Sequence, residues 1–337
     1  MLLARQNHQH GNLAAAESLY RRVLDVHPEH ADARMLLGVV KARTGALEDA
    51  VDLLEGAMPG ASDPIACRAS LAGVLRDLGR FHDALAHYDV LMAHAPDRPA
   101  LRVEHARTLR LAGETQAAIE SLTRLLQTRT DLPGAHLELG LARRAAGDVA
   151  GAEQAVRAAL ALRPQAPGPN AALGALLCDA GRSVEAVEPL RLALAAAPAD
   201  VESGIRLARC LNRLGHVGEA EQVIDRLAAL PAPGADHLTR LADLRRAMNL
   251  LDESRALYDR ALALAPGHAD ALYGVACLQE RSNQLDDALA TLESLARRHP
   301  RPAPLLLQAR VLRRLGRRDE ALATVQRVRS VSSDPEV

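Results

Sequence analysis

Aromatic residues are nearly missing: the chain has no tryptophan, one phenylalanine and four tyrosines in 337 residues, although hydrophobic residues make up 48% of it. Such a core must be built from alanine, leucine and valine. These side chains suit closely packed helices better than the aromatic and β-branched faces of sandwiches and barrels, so an all-α protein is expected. Lysine is almost absent too. Lys41 is the one lysine among cationic residues that are otherwise arginine, a bias that, with abundant alanine, glycine and proline, fits a GC-rich bacterial coding sequence.

Further absences exclude whole classes of function. A formal net charge of -1 removes the electrostatic case for a dedicated nucleic-acid binder, and so few aromatics offer little for bases to stack on. No run approaches the roughly 20 apolar residues that span a bilayer. The opening MLLARQNHQHGN lacks the apolar stretch of a signal peptide. A cytoplasmic protein with no membrane or nucleic-acid partner is expected. Cys67, Cys178, Cys210 and Cys277 include no CxxC or other close pair, so they are expected to be reduced core or groove residues.

Catalytic chemistry is not legible. The phosphate-cradling GxxxxGK[ST] pattern is absent. His8 and His10 lack a third and fourth metal ligand, and His82 and His87 are out of helical phase. Carboxylates such as Glu48 and Asp49, or Asp286 and Asp287, open helices, where they suit the dipole. No catalytic residue, cofactor or metal is expected.

What is present is a period of 34 residues. Glycine stands at 11, 45, 79, 113, 147, 181 and 215, asparagine at 249 and 283, and glycine again at 316. Asparagine is the next most tolerant residue of the left-handed conformation that ends a helix, so these positions mark turns between paired helices. Five residues after each turn comes a small residue, from Ala16 and Ala50 to Ser254, Ala288 and Ala321. Seven residues before it, from the second unit onward, comes another, including Gly38, Ala72, Gly140, Gly174, Ala242 and Ala309. Small residues at both places let two antiparallel helices approach closely. Nine residues after each turn stands a large knob: Tyr20, Leu54, Tyr88, Leu122, Val156, Leu190, Ile224, Tyr258, Leu292 and Val325. Pro28, Pro96, Pro164, Pro198, Pro266 and Pro300 close second helices.

This small, small, large, proline pattern resembles the tetratricopeptide repeat family over essentially the whole chain, with LLG at Leu36 to Gly38, GRFHDALAHY at Gly79 to Tyr88 and ALALAP at Ala261 to Pro266 similar to the family consensus. The large aromatic usual early in the first helix is missing, and Arg34, Arg102 and Leu272 take its place. The resemblance implies a right-handed α-solenoid of about ten hairpins, a single array over residues 1–337, and a scaffold that binds a protein or peptide partner. LPAPGADH at 230–237 is expected to form a local kink. Neither end carries a clear polar capping helix, and the closing SSDPEV resembles an inter-repeat loop, so the ends are expected to continue into further chain or to be covered by a partner. The alternative function is the partner-recruiting repeat region of a larger bacterial sulfotransferase or glycosyltransferase. A third is an envelope-assembly or secretion scaffold.

In stacked hairpins the first helices line the concave face. Residues six, three and two places before each turn are expected there: Arg43, Arg76, Arg107, Arg110, Arg144, Arg209, Asn212, Arg213, Arg246, Arg281, Arg310, Arg313 and Arg314, against the acids Asp77, Asp179, Asp243 and Glu280. Such a strip would steer an acidic segment into the groove, and arginine forks bind carboxylates in bidentate fashion. The lysine and asparagine set with which some tetratricopeptide proteins clamp a terminal carboxylate is absent, Asn212 alone being suitably placed. The plain alternative is that these arginines are solvated or pair with neighbouring acids.

Overall fold

The computed structural model describes residues 1–332, with side chains to Arg329; the SSDPEV segment lies almost wholly outside the described residues. By contact the chain groups into two units, Met1–Ala172 and the residues from Leu173 onward. The first unit holds α1 (Leu2–Gln9), α2 (Leu13–Val26), α3 (Ala31–Arg43), α4 (Leu47–Ala57), α5 (Pro64–Asp77), α6 (Phe81–His94), α7 (Pro99–Leu111), α8 (Thr115–Thr128), α9 (Pro133–Ala145) and α10 (Val149–Leu162). The helix α11 (Pro167–Asp179) crosses the division. The second unit continues with α12 (Ser183–Ala196), α13 (Val201–Arg213), α14 (Val217–Ala228), α15 (Ala235–Ala247), α16 (Leu251–Leu264), α17 (Ala269–Arg281), α18 (Leu285–Arg298), α19 (Pro302–Arg314) and α20 (Arg318–Ser332). Each odd-numbered helix and its successor form a hairpin, α11 and α12 meeting where Gly174 faces Leu190, and within a unit each hairpin packs on the next. The described residues are thus an all-α solenoid of ten hairpins. None of the helices is long and apolar enough to cross a membrane.

The predicted turns are the ones that form. Gly11, Gly45, Gly79, Gly113, Gly147, Gly181, Gly215 and Gly316 have positive φ, as do Asn249 at 65° and Asn283 at 60°. At Gly79 the amide of Arg80 donates to the Leu75 carbonyl at 2.9 Å and that of Gly79 to the Arg76 carbonyl at 2.9 Å, the paired bonds of a Schellman cap. Asn283 repeats the arrangement through Gln284 to Gln279, at 2.8 Å. The six prolines each fall two residues beyond the end of a second helix.

The small residues are explained by contact. A β-carbon added to Gly38 would lie 2.9 Å from Leu54 Cγ; one on Gly140 would lie 2.6 Å from Val156 Cγ2, and one on Gly174 2.5 Å from the Leu190 side chain. The glycine seven before a turn therefore makes room for the knob nine after it. Where the small residue after the turn is Ser254, its hydroxyl donates to the Ala242 carbonyl at 2.8 Å, bonding the two positions directly. Nine of the ten knobs are 2% exposed or less. Val325 is 38% exposed and lines an apolar cleft of about 470 Å³ with Leu306 and Leu322.

Two features depart from the simple pattern. Arg34, standing where an aromatic is usual, donates to the carbonyls of Gly56 at 2.8 Å and Pro28 at 2.6 Å, so hydrogen bonds replace ring packing there. The Pro-rich stretch between Ala228 and Ala235 is a loop inside the second unit, with Ala232 at a φ of 52°.

Candidate interaction face on the first helices

The first helices of neighbouring hairpins touch within each unit, as α5 with α7, α7 with α9 and α13 with α15. Positions six, three and two before a turn therefore meet side chains of the next first helix. A further position decides what they meet. Nine residues before the turn stand Glu104 and Glu138 in the fourth and fifth hairpins, and Arg206 and Arg240 in the seventh and eighth. The same 34-residue spacing marks these residues in the sequence.

In the first unit the acids engage the arginines of the preceding hairpin. Arg76 pairs with Glu104 and with its neighbour Asp77. Glu138 is 5% exposed; it accepts from Arg110 Nε and a terminal nitrogen at 3.2 and 3.1 Å, and lies 3.4 Å from Arg107. Arg107 also reaches Glu104, at 3.9 Å. Arg144 has an interaction of its own. Arg43 is exposed, with no ion pair or hydrogen bond from its side chain among the described residues.

In the second unit the charge at that position is reversed. Arg240 stands where Glu104 and Glu138 stand, and it turns to Glu202 at 2.8 Å, which also takes Arg206 at 2.6 Å. Burial alone would push the Glu202 carboxyl up, but Arg240 and Arg206 outweigh it and hold it below the usual carboxylate range. Arg209, Asn212 and Arg213 are left with no side-chain hydrogen bond or ion pair among the described residues. Arg206, Arg209 and Arg213, on one face of α13, line a cleft of about 370 Å³ with Cys178, Asp179 and Gly181. Asp179 is its single carboxylate, 3.4 Å from Arg206. Arg206 is taken by both Asp179 and Glu202, so Arg209 and Arg213 leave this cleft cationic.

The remaining predicted residues are mostly engaged. Arg246 donates to Asp243 at 3.0 Å and to the Tyr258 hydroxyl at 3.2 Å. Arg281 donates to Asn249 at 2.6 Å. Arg310 and Arg314 both take Glu280, at 3.1 and 2.7 Å. Arg313 is exposed, lines the apolar cleft beside Val325, and has no ion pair among the described residues.

The cysteine expectation is corrected here. Cys178 of α11 and Cys210 of α13 are joined as a disulfide, while Cys67 and Cys277 are free and buried. Their separation of 32 residues is close to one period, which brings neighbouring first helices side by side. Pairing in a repeat array is set by the period, not by closeness in sequence. His8 and His10 do not form a metal pair: His8 meets the Tyr20 ring edge-on at 6.2 Å, and His10 contacts the Gln6 carbonyl at 2.7 Å. Among the described residues, no group of three or more histidine, cysteine, aspartate or glutamate side chains is placed to hold a metal.

Comparison with known proteins agrees with this construction. Family models described as tetratricopeptide repeat match residues 3–64, 70–133, 103–168, 137–201 and 243–311. A comparison with curated proteins gave no match. Among solved structures, a tetratricopeptide repeat protein from Parabacteroides merdae ATCC 43184 aligns with a TM-score of 0.50 at 17% identity, over 70% of this chain and 93% of its own. A structure of MamA aligns at 0.41 and 20% identity, over 47% of this chain and 92% of that one. The repeated contacts and the family match lead to one conclusion: the chain belongs to the tetratricopeptide repeat family.

Proposed function

We propose that the chain is a non-catalytic scaffold that holds an acidic segment of a partner protein against the first helices of its second unit, with Arg209 and Arg213 as the principal contacts. The observation that carries this reading is the pair of exposed, unengaged arginines on α13, in a cationic cleft of about 370 Å³. Guanidinium groups without internal partners cost little to redirect toward a ligand carboxylate, whereas those already bonded must first give up an acid. Hairpins three to five of the first unit then serve as framework, Arg76 and Arg110 being tied to Glu104 and Glu138.

The test is binding of a fluorescent polyglutamate peptide to the full chain. The double variant Arg209→Glu/Arg213→Glu is expected to weaken it at least tenfold with helicity unchanged, and Arg107→Gln to leave it within about twofold. Equal losses in both variants, or none in either, would remove the assignment. The cellular setting is proposed to be cytoplasmic. A reducing cytoplasm would hold Cys178 and Cys210 as thiols and an oxidising compartment would keep them joined, so the thiol state of the pair in cells reports the location.

A further inference from the structure

Three of the ten knobs are tyrosines, and their hydroxyls meet different surroundings. In the eighth hairpin the Tyr258 hydroxyl donates to Asp243 at 2.6 Å and accepts from Arg246 at 3.2 Å. Asp243 and Arg246 stand six and three residues before the turn. In the first hairpin those two positions hold Arg5 and His8. Tyr20 is completely buried, and its hydroxyl has no hydrogen-bond partner. The carboxylate that satisfies the same hydroxyl in the eighth hairpin has been replaced by a cation.

Tyr20 lies at the floor of a cleft of about 590 Å³ whose wall includes Arg5, His8, Asp32, Arg43 and Ser62. Burial pushes the Tyr20 phenol up, against a smaller opposing effect of Arg5, so the hydroxyl keeps its proton and remains a donor. Asp32 does not serve it: its Oδ1 accepts from the Ser62 amide and hydroxyl, both at 2.9 Å, and no hydrogen bond joins its carboxylate to the Tyr20 hydroxyl. The exposed Arg43 has no side-chain partner among the described residues, and Arg5 reaches Asp32 only at 4.0 Å. Buried donors are almost always bonded, so an orphan beneath a cationic cleft marks a place where an acceptor is supplied from outside.

We propose that this cleft binds the side-chain carboxylate of an acidic residue in a partner segment. One oxygen accepts from the Tyr20 hydroxyl, as Asp243 does from Tyr258, and the other meets Arg5 and Arg43. Because the hydroxyl lies beneath the floor of the cleft, side chains of the wall must move for the ligand to reach it. Asp32 on the same wall repels a second negative charge, which favours a monoanionic carboxylate over a phosphate. The site belongs to the first unit and does not depend on the α13 cleft.

The test uses the full chain carrying Arg209→Glu/Arg213→Glu, so that the second unit's cleft is silent, with tyrosines labelled at Cζ for NMR. The probe is acetyl-Gly-Asp-Gly-amide, blocked at both ends. Saturable movement of the Tyr20 signal is expected, with the Asn counterpart at least tenfold weaker. Tyr20→Phe is expected to lose about tenfold in affinity while its melting temperature holds, since the hydroxyl has no internal bond to lose. Arg5→Asp recreates the eighth hairpin's arrangement and is expected to raise the melting temperature and abolish binding. No saturable shift, equal binding of the Asn peptide, a clear fall in the melting temperature of Tyr20→Phe, or stronger binding of inorganic phosphate would each overturn the proposal. Preference for acetyl-Gly-Gly-Gly with a free C-terminus would overturn it in favour of a terminal carboxylate.

Discussion

Arg107 and Arg110 in the first unit and Arg209 and Arg213 in the second come from the same stretch of the repeat, yet they do different things. The first pair lies against a nearly buried Glu138 supplied by α9. The second pair would meet the equivalent residue of α15, but that residue is Arg240, which turns to Glu202. In these two hairpins a groove arginine is therefore structural or available according to one residue in the next repeat. Counting charge within a single helix misses this, because the contact is between hairpins.

Several measurements would break or sharpen that contrast. The largest effect is expected at the disulfide, which staples α11 to α13 beside the available arginines and has no counterpart in the first unit. A closed loop of this length contributes about 3–4 kcal/mol on the chain-entropy model. Denaturation with and without a reducing agent, with Cys178→Ser/Cys210→Ser as the control, measures it. A variant that melts with the oxidised parent would show that the bridge constrains nothing.

Next comes Glu138→Ala, which strands Arg107 and Arg110 near a buried position. A loss of about 2–3 kcal/mol is expected in urea denaturation, because uncompensated charge is left behind. The reverse exchange, Arg240→Glu, gives the second unit the first unit's arrangement. Arg209 then gains an internal acid, and polyglutamate binding is expected to fall about tenfold, or about 1.4 kcal/mol, though neither Arg209 nor Arg213 has been changed. Binding that survives this exchange would mean that the acid at this position does not govern availability.

The pH dependence should also differ in its origin. Burial lowers the pKa of His87, helped by Arg68, and of His105, against the raising influence of Asp89; both belong to the first unit. With folded values below unfolded ones, the unfolded state binds more protons, so stability is held above about pH 6.5 and declines as pH falls below it. Asp32 is held low chiefly by the Ser62 amide and hydroxyl. Its contribution is present above the unfolded carboxylate range and is lost as pH falls through its folded value. Amide exchange in α7 from pH 7.5 to 5 should report the histidine step. The smallest effect is expected for Arg209→Ala and Arg213→Ala, each within about 0.5 kcal/mol of the parent, since exposed side chains without partners hold nothing together.

The turns and the packing were legible because they depend on local chemistry repeated ten times. Glycine or asparagine at a left-handed position leaves a mark in the sequence that needs no knowledge of neighbours. So does a glycine or alanine facing its own hairpin's knob, as Gly140 faces Val156. Which first-helix arginines are engaged was not legible. Arg209 and Arg213 stand on a first helix, but so do Arg76, Arg110 and Arg310, whose engagement depends on Glu104, Glu138 and Glu280. The Cys178 to Cys210 link was missed for the same reason, since it joins first helices of adjacent repeats.

By itself the sequence determined the all-α hairpin architecture, the position of every turn from Gly11 to Gly316, and the small residues that set how closely the paired helices approach. Those features follow from backbone conformation and side-chain volume within one repeat. Tertiary structure alone decided which arginines are free, which cysteines meet, and that the Tyr20 hydroxyl lacks the acid that Tyr258 has. Each of these depends on distances of a few ångströms between neighbouring helices, over which hydrogen bonds are made or lost and ion pairs weaken.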